Sequence, residues 1–269
     1  MKKAAAYPYV VWMILFILIP IALIVYYSFT VNGVFTFANY ARAFEPIYLA
    51  VLRDSFIIAL ISTALCFVLG YPVAYIMARK EFRDSNFLIF LFLVPMWMNF
   101  LMRTYAWLTI LEKNGLVNTI LAAVGLPVID ILYTDAAVIL GMVYNFIPFM
   151  ILPIYTVLKK MDKSLIEAAQ DLGANSRQVF FRVTFPLSLP GVVAGTTMTF
   201  LPSVTTFVIS DLLGGNKTQL IGNVIEQQFL LVNDWNFGSA LAVMLMAAIL
   251  LTMNVFQRVD SQGERGAVL

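Results

Sequence analysis

The stretch Glu167–Gly173, which reads Glu-Ala-Ala-Gln-Asp-Leu-Gly, and the stretch Val183–Pro186, which reads Val-Thr-Phe-Pro, belong to a short amphipathic insert in an otherwise apolar chain. A protein embedded in a membrane keeps a polar helix outside the bilayer when something outside must act on it. The insert therefore predicts a membrane protein that is driven by a partner on one side of the bilayer.

Composition places the chain among membrane proteins. Of its 269 residues, 61% are hydrophobic and 12% are charged, and the mean hydropathy is +0.88. A soluble chain of this length needs more polar surface, so the composition predicts an all-α polytopic membrane protein. The net charge of +2 gives no reason to expect nucleic-acid binding. The sequence has no histidine and one cysteine, Cys66, which excludes an internal disulfide and argues against a metal site or a membrane-embedded enzyme.

Six stretches are long enough to cross a bilayer, which takes about 20 mostly apolar residues. With the N-terminus inside, 12 of the 17 Lys and Arg residues fall in cytoplasmic segments and four fall in outer loops. This bias predicts that both termini are cytoplasmic, and that the loop 159–190, which holds the insert, is cytoplasmic too. The predicted spans are 7–29, 55–77, 87–111, 136–158, 191–213 and 237–256.

The insert carries the signals of a short helix. Ser164 and Glu167 have the spacing of a capping box at a helix start, and Gly173 has the place of the glycine that ends a helix. A helix this short is marginal alone, so it is expected to dock on another surface. A second short helix is predicted to start at Ser176. The first helix has a predicted apolar face of Leu165, Ile166, Ala168, Ala169 and Leu172, and a polar face of Glu167, Gln170 and Asp171.

The alternative is that the insert rests on lipid headgroups, which nearby lysines would favour. The acidic residues on the polar face, Glu167 and Asp171, argue against an anionic lipid surface. Docking on a protein is therefore the preferred interpretation.

At these residues the chain resembles the permeases of binding-protein-dependent ABC importers. Their motif is Glu-Ala-Ala, three residues, Gly, nine residues, Ile, one residue and Leu-Pro. The matching residues here are Glu167, Ala168, Ala169, Gly173 and Pro186, with Val183 in place of Ile and Phe185 in place of Leu.

The resemblance implies a type I ABC importer permease fold that occupies residues 1–269 as a single transmembrane domain. It also implies that a coupling helix between spans 4 and 5 contacts the ATP-binding subunits. The residues to which this contact is assigned are Ser164, Glu167, Ala168, Ala169, Asp171, Leu172 and Gly173.

The remainder is similar to the spermidine/putrescine branch of these permeases. The segments that carry this likeness are 69–72, 171–174, 210–215 and 220–225. The branch implies a bacterial inner-membrane protein that pairs with a second, homologous permease as a heterodimer. It further implies two ATP-binding subunits, which use ATP and Mg, and an extracytoplasmic polyamine-binding protein. The chain has no Walker motif, so it is expected to be non-catalytic and to hold no cofactor itself.

The predicted fifth span is the most polar. Its hydroxyl residues recur at spacings that put them on one helical face, beside a kink expected at Pro202. They line either a wet translocation path or a contact between helices. For Gly191 and Gly195, close helix packing is the preferred interpretation. The hydroxyl residues are Thr196, Thr199, Ser203, Thr206 and Ser210.

Asp211 follows this stripe, and a carboxylate there needs water, a cation or a partner. A polyamine is a chain of ammonium groups and methylenes, which carboxylates and aromatic faces bind. Aromatic residues near helix ends are also common interface anchors, so both interpretations stay open for them. The candidates beside Asp211 are Trp97, Asn99, Tyr105 and Trp107 in the third span and Tyr144 and Asn145 in the fourth.

Arg103 is unexpected in a span of a cation transporter. The sequence allows two interpretations, since the side chain either snorkels to the outer surface or pairs with a carboxylate such as Asp211.

The function that this sequence favours is a polyamine importer permease working by alternating access. The binding protein is expected to dock on the outer loops, at 39–46, 114–135 and 214–235. The alternatives are a permease for another small solute and a stand-alone secondary transporter or channel. The second would be expected to show buried coupling charges or inverted repeats, and neither is evident.

Overall fold

The computed structural model describes residues 7–79, 86–215 and 217–266. These residues are helical apart from loops and one small hairpin. Four π-helical segments join or extend helices, at Ile14–Leu18, Phe180–Thr184, Ser210–Gly214 and Gln228–Val232. The α-helices are α1 Tyr7–Met13, α2 Ile19–Ser28, α3 Ala38–Ala43, α4 Pro46–Met77, α5 Asn86–Trp97, α6 Phe100–Leu111, α7 Leu116–Ala123, α8 Asp135–Lys160, α9 Lys163–Asp171, α10 Ser176–Val179, α11 Phe185–Thr205, α12 Ile221–Gln227 and α13 Trp235–Gly266.

A hairpin follows the first apolar helix, and side chains fix it to the last one. Strands β1 (Thr30–Val31) and β2 (Val34–Phe35) pair antiparallel. The buried amide of Asn39 donates to the carbonyl of Thr30 at 3.0 Å, and the amide of Asn236, in α13, donates to the same carbonyl at 2.6 Å. Since α13 also packs along α2, the first and last apolar helices lie together.

Five helices within the described residues are long and apolar enough to cross a membrane. Each overlaps one of the six predicted spans. The third predicted span has no counterpart among them. The five are Pro8–Ser28, Pro46–Met77, Asp135–Lys160, Ser176–Thr205 and Trp235–Phe256.

The predicted span 87–111 is not one continuous helix. The chain forms α5, breaks at Met98 and Asn99, and resumes as α6. Asn99 has an extended ψ of 129°, and its side-chain oxygen accepts hydrogen bonds from the amides of Leu101 (2.9 Å) and Met102 (3.4 Å). An asparagine that caps a new helix start in this way competes with helix continuation. Pro95, inside α5, weakens the helix just before the break.

The helix at the fifth predicted span, 191–213, begins and ends earlier than predicted. The helical segment starts at Ser176 and ends at Thr205, because Thr206 takes an extended ψ of 141°. Its start is fixed by Asn175 and Gln178, whose side chains each accept from the other's backbone amide at 2.9 and 2.8 Å. The hydroxyl residues predicted to share one face therefore do not lie on one helix, since Thr206 and Ser210 follow its end.

The interior is the contact of α8 with α4 and α11. A Cβ atom at Gly191 would lie 3.0 Å from the Pro153 carbonyl oxygen, and one at Gly195 would lie 3.0 Å from that of Met150. These distances confirm the predicted close packing, because only glycine allows the two backbones to approach so far. Cys66 is buried here, with its thiol 3.8 Å from the Val143 carbonyl oxygen.

Candidate functional site

Helix α9, in the predicted cytoplasmic loop, starts one residue earlier than its predicted cap. The carboxylate of Asp162 accepts a hydrogen bond from the Ser164 amide at 3.0 Å, and this bond lowers the pKa of Asp162. The predicted capping box of Ser164 and Glu167 is therefore wrong. A carboxylate two residues before the amide serves the helix start better, because it also interacts with the positive end of the helix dipole.

The end of α9 matches its prediction. Gly173 has a φ of +83°, in the left-handed region that glycine favours. Its amide donates to the Gln170 carbonyl at 2.8 Å, and the Ala174 amide donates to the Ala169 carbonyl at 3.0 Å. These two bonds form the Schellman arrangement that ends a helix.

The predicted apolar face of α9 is divided between two directions. Ile166 and Ala169, three residues apart, are half-buried against the rest of the chain. Leu165, Ala168 and Leu172 point outward, and Leu172 is 89% exposed. Glu167 and Asp171 are exposed as well. The helix thus rests on the chain by one edge and presents leucines to the outside by another. We call Leu165, Ala168 and Leu172 the outer leucine face.

A cavity of about 290 Å³ lies between α9, the C-terminal ends of α4 and α8, and Thr184, which precedes α11. The Arg79 guanidinium lies 5.4 Å from the centre of the Tyr75 ring, and Tyr75 packs edge-on against Phe180. Below it, the hydroxyls of Tyr71 and Ser188 are 2.8 Å apart, which joins α4 to α11. The described contacts of α9 are with α10 and with Phe180–Thr184, the segment that continues into α11.

A second polar region lies where α11 ends. Asn223, buried in α12, organises it with four hydrogen bonds. Its side-chain oxygen accepts from the Ser210 hydroxyl at 2.5 Å and from the Leu220 amide at 3.1 Å. Its side-chain nitrogen donates to the Phe207 carbonyl at 3.0 Å and to the Asp211 carboxylate at 3.4 Å. We call residues 206–215 and 217–223 the Asn223 turn.

The predicted hydroxyl residues have different surroundings. Thr199, Ser203 and Ser210 are buried, whereas Thr196 and Thr206 are half-buried. The Ser203 hydroxyl donates to the Thr199 carbonyl at 2.7 Å. The Thr199 hydroxyl has no hydrogen-bond partner among the described residues.

The predicted aromatic candidates lie around the break between α5 and α6. Trp97 is 73% exposed beside Asn99, and Tyr105 is 51% exposed. Trp107 packs edge-on against Tyr144, with ring centres 5.2 Å apart. The broken helix therefore leaves an accessible aromatic surface next to the Asn223 turn, since α6 packs against Ser210–Gly214.

Arg103 does not snorkel to the surface. Its side chain is buried, and its Nε and one terminal nitrogen have no hydrogen-bond partner among the described residues. Asp211 is exposed and is not within ion-pair distance of Arg103 in this conformation. The alternative of an ion pair between them is therefore not formed here.

The comparison with protein families decides what kind of protein this is. Residues 70–263 match the model of the binding-protein-dependent transport system inner membrane component. The chain belongs to this family. The resemblance inferred from the Glu-Ala-Ala motif is thereby confirmed, and the chain is an inner-membrane transport component.

Curated relatives extend the match over almost the whole permease. The spermidine/putrescine transport system permease proteins PotB of Salmonella typhimurium and of Escherichia coli K12 are both 42% identical to it over 256 residues. This alignment covers 92% of the chain, 89% of the Salmonella relative and 93% of the Escherichia coli relative. The inner membrane ABC transporter permease protein YdcU of Escherichia coli K12 is 28% identical and covers 87% of the chain and 79% of the relative.

Solved structures show the same fold. A bacterial ABC transporter involved in the import of the acidic polysaccharide alginate aligns with a TM-score of 0.82 at 15% identity, over 97% of this permease and 95% of that chain. The MetNI methionine ABC transporter, in inward-facing conformations, aligns with a TM-score of 0.56 at 19% identity, over 80% of this permease and 95% of that chain. The fold is therefore the mostly helical fold of ABC importer permeases.

Two residues of the polar region, Asn223 and Glu226, were not predicted from the sequence. Glu226 lies one turn after Asn223 and lines a groove of about 570 Å³ with Phe207 and Phe229. Burial in this groove raises the pKa of Glu226, and the nearby charge of Asp211 raises it further. The available signal was the polar pair itself, an Asn and a Glu at i and i+3 in an otherwise apolar helix start.

Proposed function

We propose that this chain is the membrane-spanning permease subunit of an ATP-driven importer of polyamines such as spermidine and putrescine. The observation that carries the proposal is the 42% identity to the PotB proteins over 92% of the chain. A likeness that covers both proteins nearly end to end makes a shared role the simplest explanation. The neighbours of known structure support only the importer permease fold, because their identities are below 20%.

In this proposal residues 1–269 form one transmembrane domain with six crossings. The third crossing is made by α5 and α6 together, with the break at Asn99 inside the membrane. Each has 12 residues, so the pair has the length of a usual span at 1.5 Å per residue. Non-helical backbone is tolerated at this depth where it lines a cavity or lies within protein. Both termini are cytoplasmic.

The ATP-binding subunits act on α9. The outer leucine face is free to enter a groove of a partner, which explains why it is exposed in the isolated chain. Ser164, Glu167 and Asp171 form its polar edge, and Ala169 packs inward. Gly173 sets where the helix ends. Because α9 is too short to be stable alone, seating it on a partner would also strengthen it.

The transport cycle is alternating access. A loaded binding protein docks on the outer loops, and the permease pairs with a second, homologous permease. ATP binding closes the ATP-binding subunits, moves α9 and opens the path outward. Hydrolysis resets it and releases the substrate inward. ATP and Mg are used by those subunits, so this chain is non-catalytic and needs no cofactor of its own.

The substrate path is assigned to the region around the Asn223 turn and the α5–α6 break. Asp211 supplies a carboxylate for an ammonium group, and exposed aromatic faces suit both ammonium groups and methylenes. Trp97 and Tyr105 are accessible there. The residues assigned to the path are Asp211, Trp97, Asn99, Tyr105, Tyr144, Thr199, Ser203, Thr206 and Ser210.

The test is ATP-dependent uptake of labelled spermidine into liposomes that hold the complete complex. Asp211→Asn is expected to lower uptake at least about tenfold, since a hydrogen bond to a charged group is worth about 1.5–3 kcal/mol. The matched control is Asp54→Asn, because the Asp54 side chain is half-exposed and pairs with its neighbour Arg53 at 2.9 Å. This control is expected to transport normally.

Three outcomes separate the alternatives. Normal uptake in Asp211→Asn would show that Asp211 is not needed in the substrate path, and it would leave the proposed transport function unchanged. An intact complex that hydrolyses ATP and takes up no polyamine would indicate a permease for another small solute. Uptake by the chain alone, without any ATP-binding subunit, would indicate a stand-alone transporter.

A further inference from the structure

Arg103 lies on the face of α6 that contacts α8. Phe100 and Trp107, three residues before it and four after, share this face. The Phe100 ring stacks on Phe146 with centres 6.4 Å apart, and the Trp107 ring meets Tyr144 edge-on at 5.2 Å. Arg103 therefore lies between two aromatic contacts, at the level of α8 residues 144–146. That level is about 15 Å below the outer end of α8, at 1.5 Å per residue over ten residues.

A buried acceptor without a partner lies at the same level. Asn145 is 1% exposed, and its side-chain nitrogen donates to the Gly141 carbonyl at 2.9 Å. Its side-chain oxygen has no hydrogen-bond partner among the described residues, just as two nitrogens of Arg103 have none. A buried donor group and a buried acceptor, each unpaired and each on facing helices, mark a place built for more bonds than this conformation makes.

The Asn223 turn closes this region from the outer side. One helical turn above Asn145, Gly141 faces Ile209 and Leu213, so the backbone that carries Asp211 packs against α8 here, while the Asp211 carboxylate is turned toward Asn223 of α12. The segment Ser210–Gly214 also packs against α6, the helix of Arg103. Among the described residues, the Asp211 carboxylate has one side-chain partner, Asn223, whose amide donates to it at 3.4 Å. It is therefore free to take another partner.

We propose that Arg103 takes the place of the substrate when the path is empty and closed. In that state the Arg103 guanidinium pairs with Asp211 and with the amide oxygen of Asn145. An arriving substrate ammonium displaces the guanidinium from Asp211 and so opens the path. The proposal rests on the proposed function, and it assigns Arg103 a role in coupling. A buried guanidinium without a partner is costly, so a state that pairs it is favoured and becomes the resting state.

Two consequences follow for the complex without substrate. While the pair holds, the resting state is stabilised and ATP hydrolysis is slow. While Arg103 occupies Asp211, small cations such as K⁺ are also kept from that carboxylate. The substrate shifts the equilibrium from the closed to the open state because it binds Asp211 in the open state more favourably than the guanidinium binds Asp211 in the closed state.

The experiment measures ATP hydrolysis by the reconstituted complex in the absence of any polyamine. Arg103→Gln and Asp211→Asn are each expected to raise this basal rate at least about fivefold, the lower end of typical coupling effects. Because both remove the same pair, the double variant is expected to match the single variants. A double variant whose increase is the product of the two single increases would overturn the proposal. So would an unchanged basal rate in Arg103→Gln.

Matched controls keep the result specific. Arg103→Lys retains the charge and is expected to stay within about twofold of the unmodified rate, since one charged contact remains. Arg53→Gln removes an exposed arginine and is expected to change nothing. A failure of the proposed substrate is seen separately, because it abolishes spermidine uptake by the unmodified complex and leaves the basal comparison intact.

If the Arg103→Gln complex does not assemble, a variant that exchanges the two charges tests the proposed pair. Arg103→Asp combined with Asp211→Arg restores an oppositely charged pair, whereas each reversal alone puts two like charges together. Recovery of assembly and of a low basal rate in the exchange alone supports the pair. An exchange that is as defective as the worse single reversal contradicts it.

Discussion

Two neighbouring segments, the insert 162–184 and the following segment 185–223, are held in opposite ways. In the insert, the bonds that set each helix end span only two to five residues, such as Asp162 with Ser164 and Ala174 with Ala169. In the second segment, Asn223 reaches back 16 residues to Phe207, and the Ile221 amide donates at 2.8 Å to the hydroxyl of Ser55, 166 residues away.

The difference teaches where each segment gets its stability. The insert makes its own ends and leaves its outer leucine face uncovered, so its position depends on what docks there. The second segment depends on α8, α12 and α4 of the same chain. Substitutions in it should unfold the chain, whereas substitutions in the insert should leave the chain folded and uncouple it.

The largest expected effect is that of Gly195→Leu in α11. Its first side-chain atom would lie 3.0 Å from both the carbonyl oxygen and the sulfur of Met150, and a backbone oxygen has little freedom to move. The variant is expected to lose about 3 kcal/mol or more of stability. Thermal unfolding of the purified chain in detergent measures this.

The control for that substitution is its neighbour, Ala194→Leu, which points into an open groove beside Met198. Its unfolding temperature is expected to be close to that of the unmodified chain. Equal losses in both variants would mean that the α8–α11 contact is not what holds this segment.

The next effect is that of Asn223→Ala. It leaves the buried Leu220 amide without its side-chain acceptor, and such a group costs about 1–3 kcal/mol. Destabilisation and increased hydrogen exchange within 206–223 are expected. If exchange rises only in α9, the long-range bonds of the turn are not its main support.

These two segments also show what the sequence can predict. Gly173 was recognisable because the αL end of a helix is a local feature, and the Gly191–Gly195 pair because its spacing is helical. The break at Asn99 and the end of α11 at Thr205 were not recognised. At both places the apolar pattern of the sequence predicts that the helix continues. Local capping at Asn99 and distant hydrogen-bond partners after Thr205 end the helix instead. A bond from Asn223 to Phe207 leaves no periodic trace in the sequence.

In the candidate site, too, only the locally recognisable residue could be predicted from the sequence. Asp211 was identified as a lone carboxylate, but its partner Asn223 and its neighbour Glu226 become visible only when α12 folds back on the turn. The burial of Arg103 could not be predicted either, because it follows from the break that restarts the helix at Phe100.

A smaller effect on the chain, with a large effect on coupling, is expected at Gly173. A Cβ atom there meets nothing within 4 Å, so the cost within the chain is only the left-handed conformation, about 1–2 kcal/mol. Gly173→Ala and Gly173→Leu should therefore lower the stability of the chain by the same amount. If an ATP-binding subunit seats against this end, Gly173→Leu should lose far more ATP-dependent uptake than Gly173→Ala. Equal uptake in the two variants, at equal expression, would place the docking surface elsewhere.

The smallest effect is expected at the start of α9. Because its hydrogen bond to the Ser164 amide lowers the pKa of Asp162 below its ordinary value of 3.8, the ionised form stabilises the helix. This contribution is fully present above pH 3.8 and is lost as the pH falls through the lowered value. Asp162→Ala should speed hydrogen exchange of the Ser164 amide at neutral pH, whereas Asp162→Asn, which caps without titrating, should not. A neutral-pH difference between these variants that extended into α11 would show that the two segments are not held independently, since the insert's own bonds reach only a few residues.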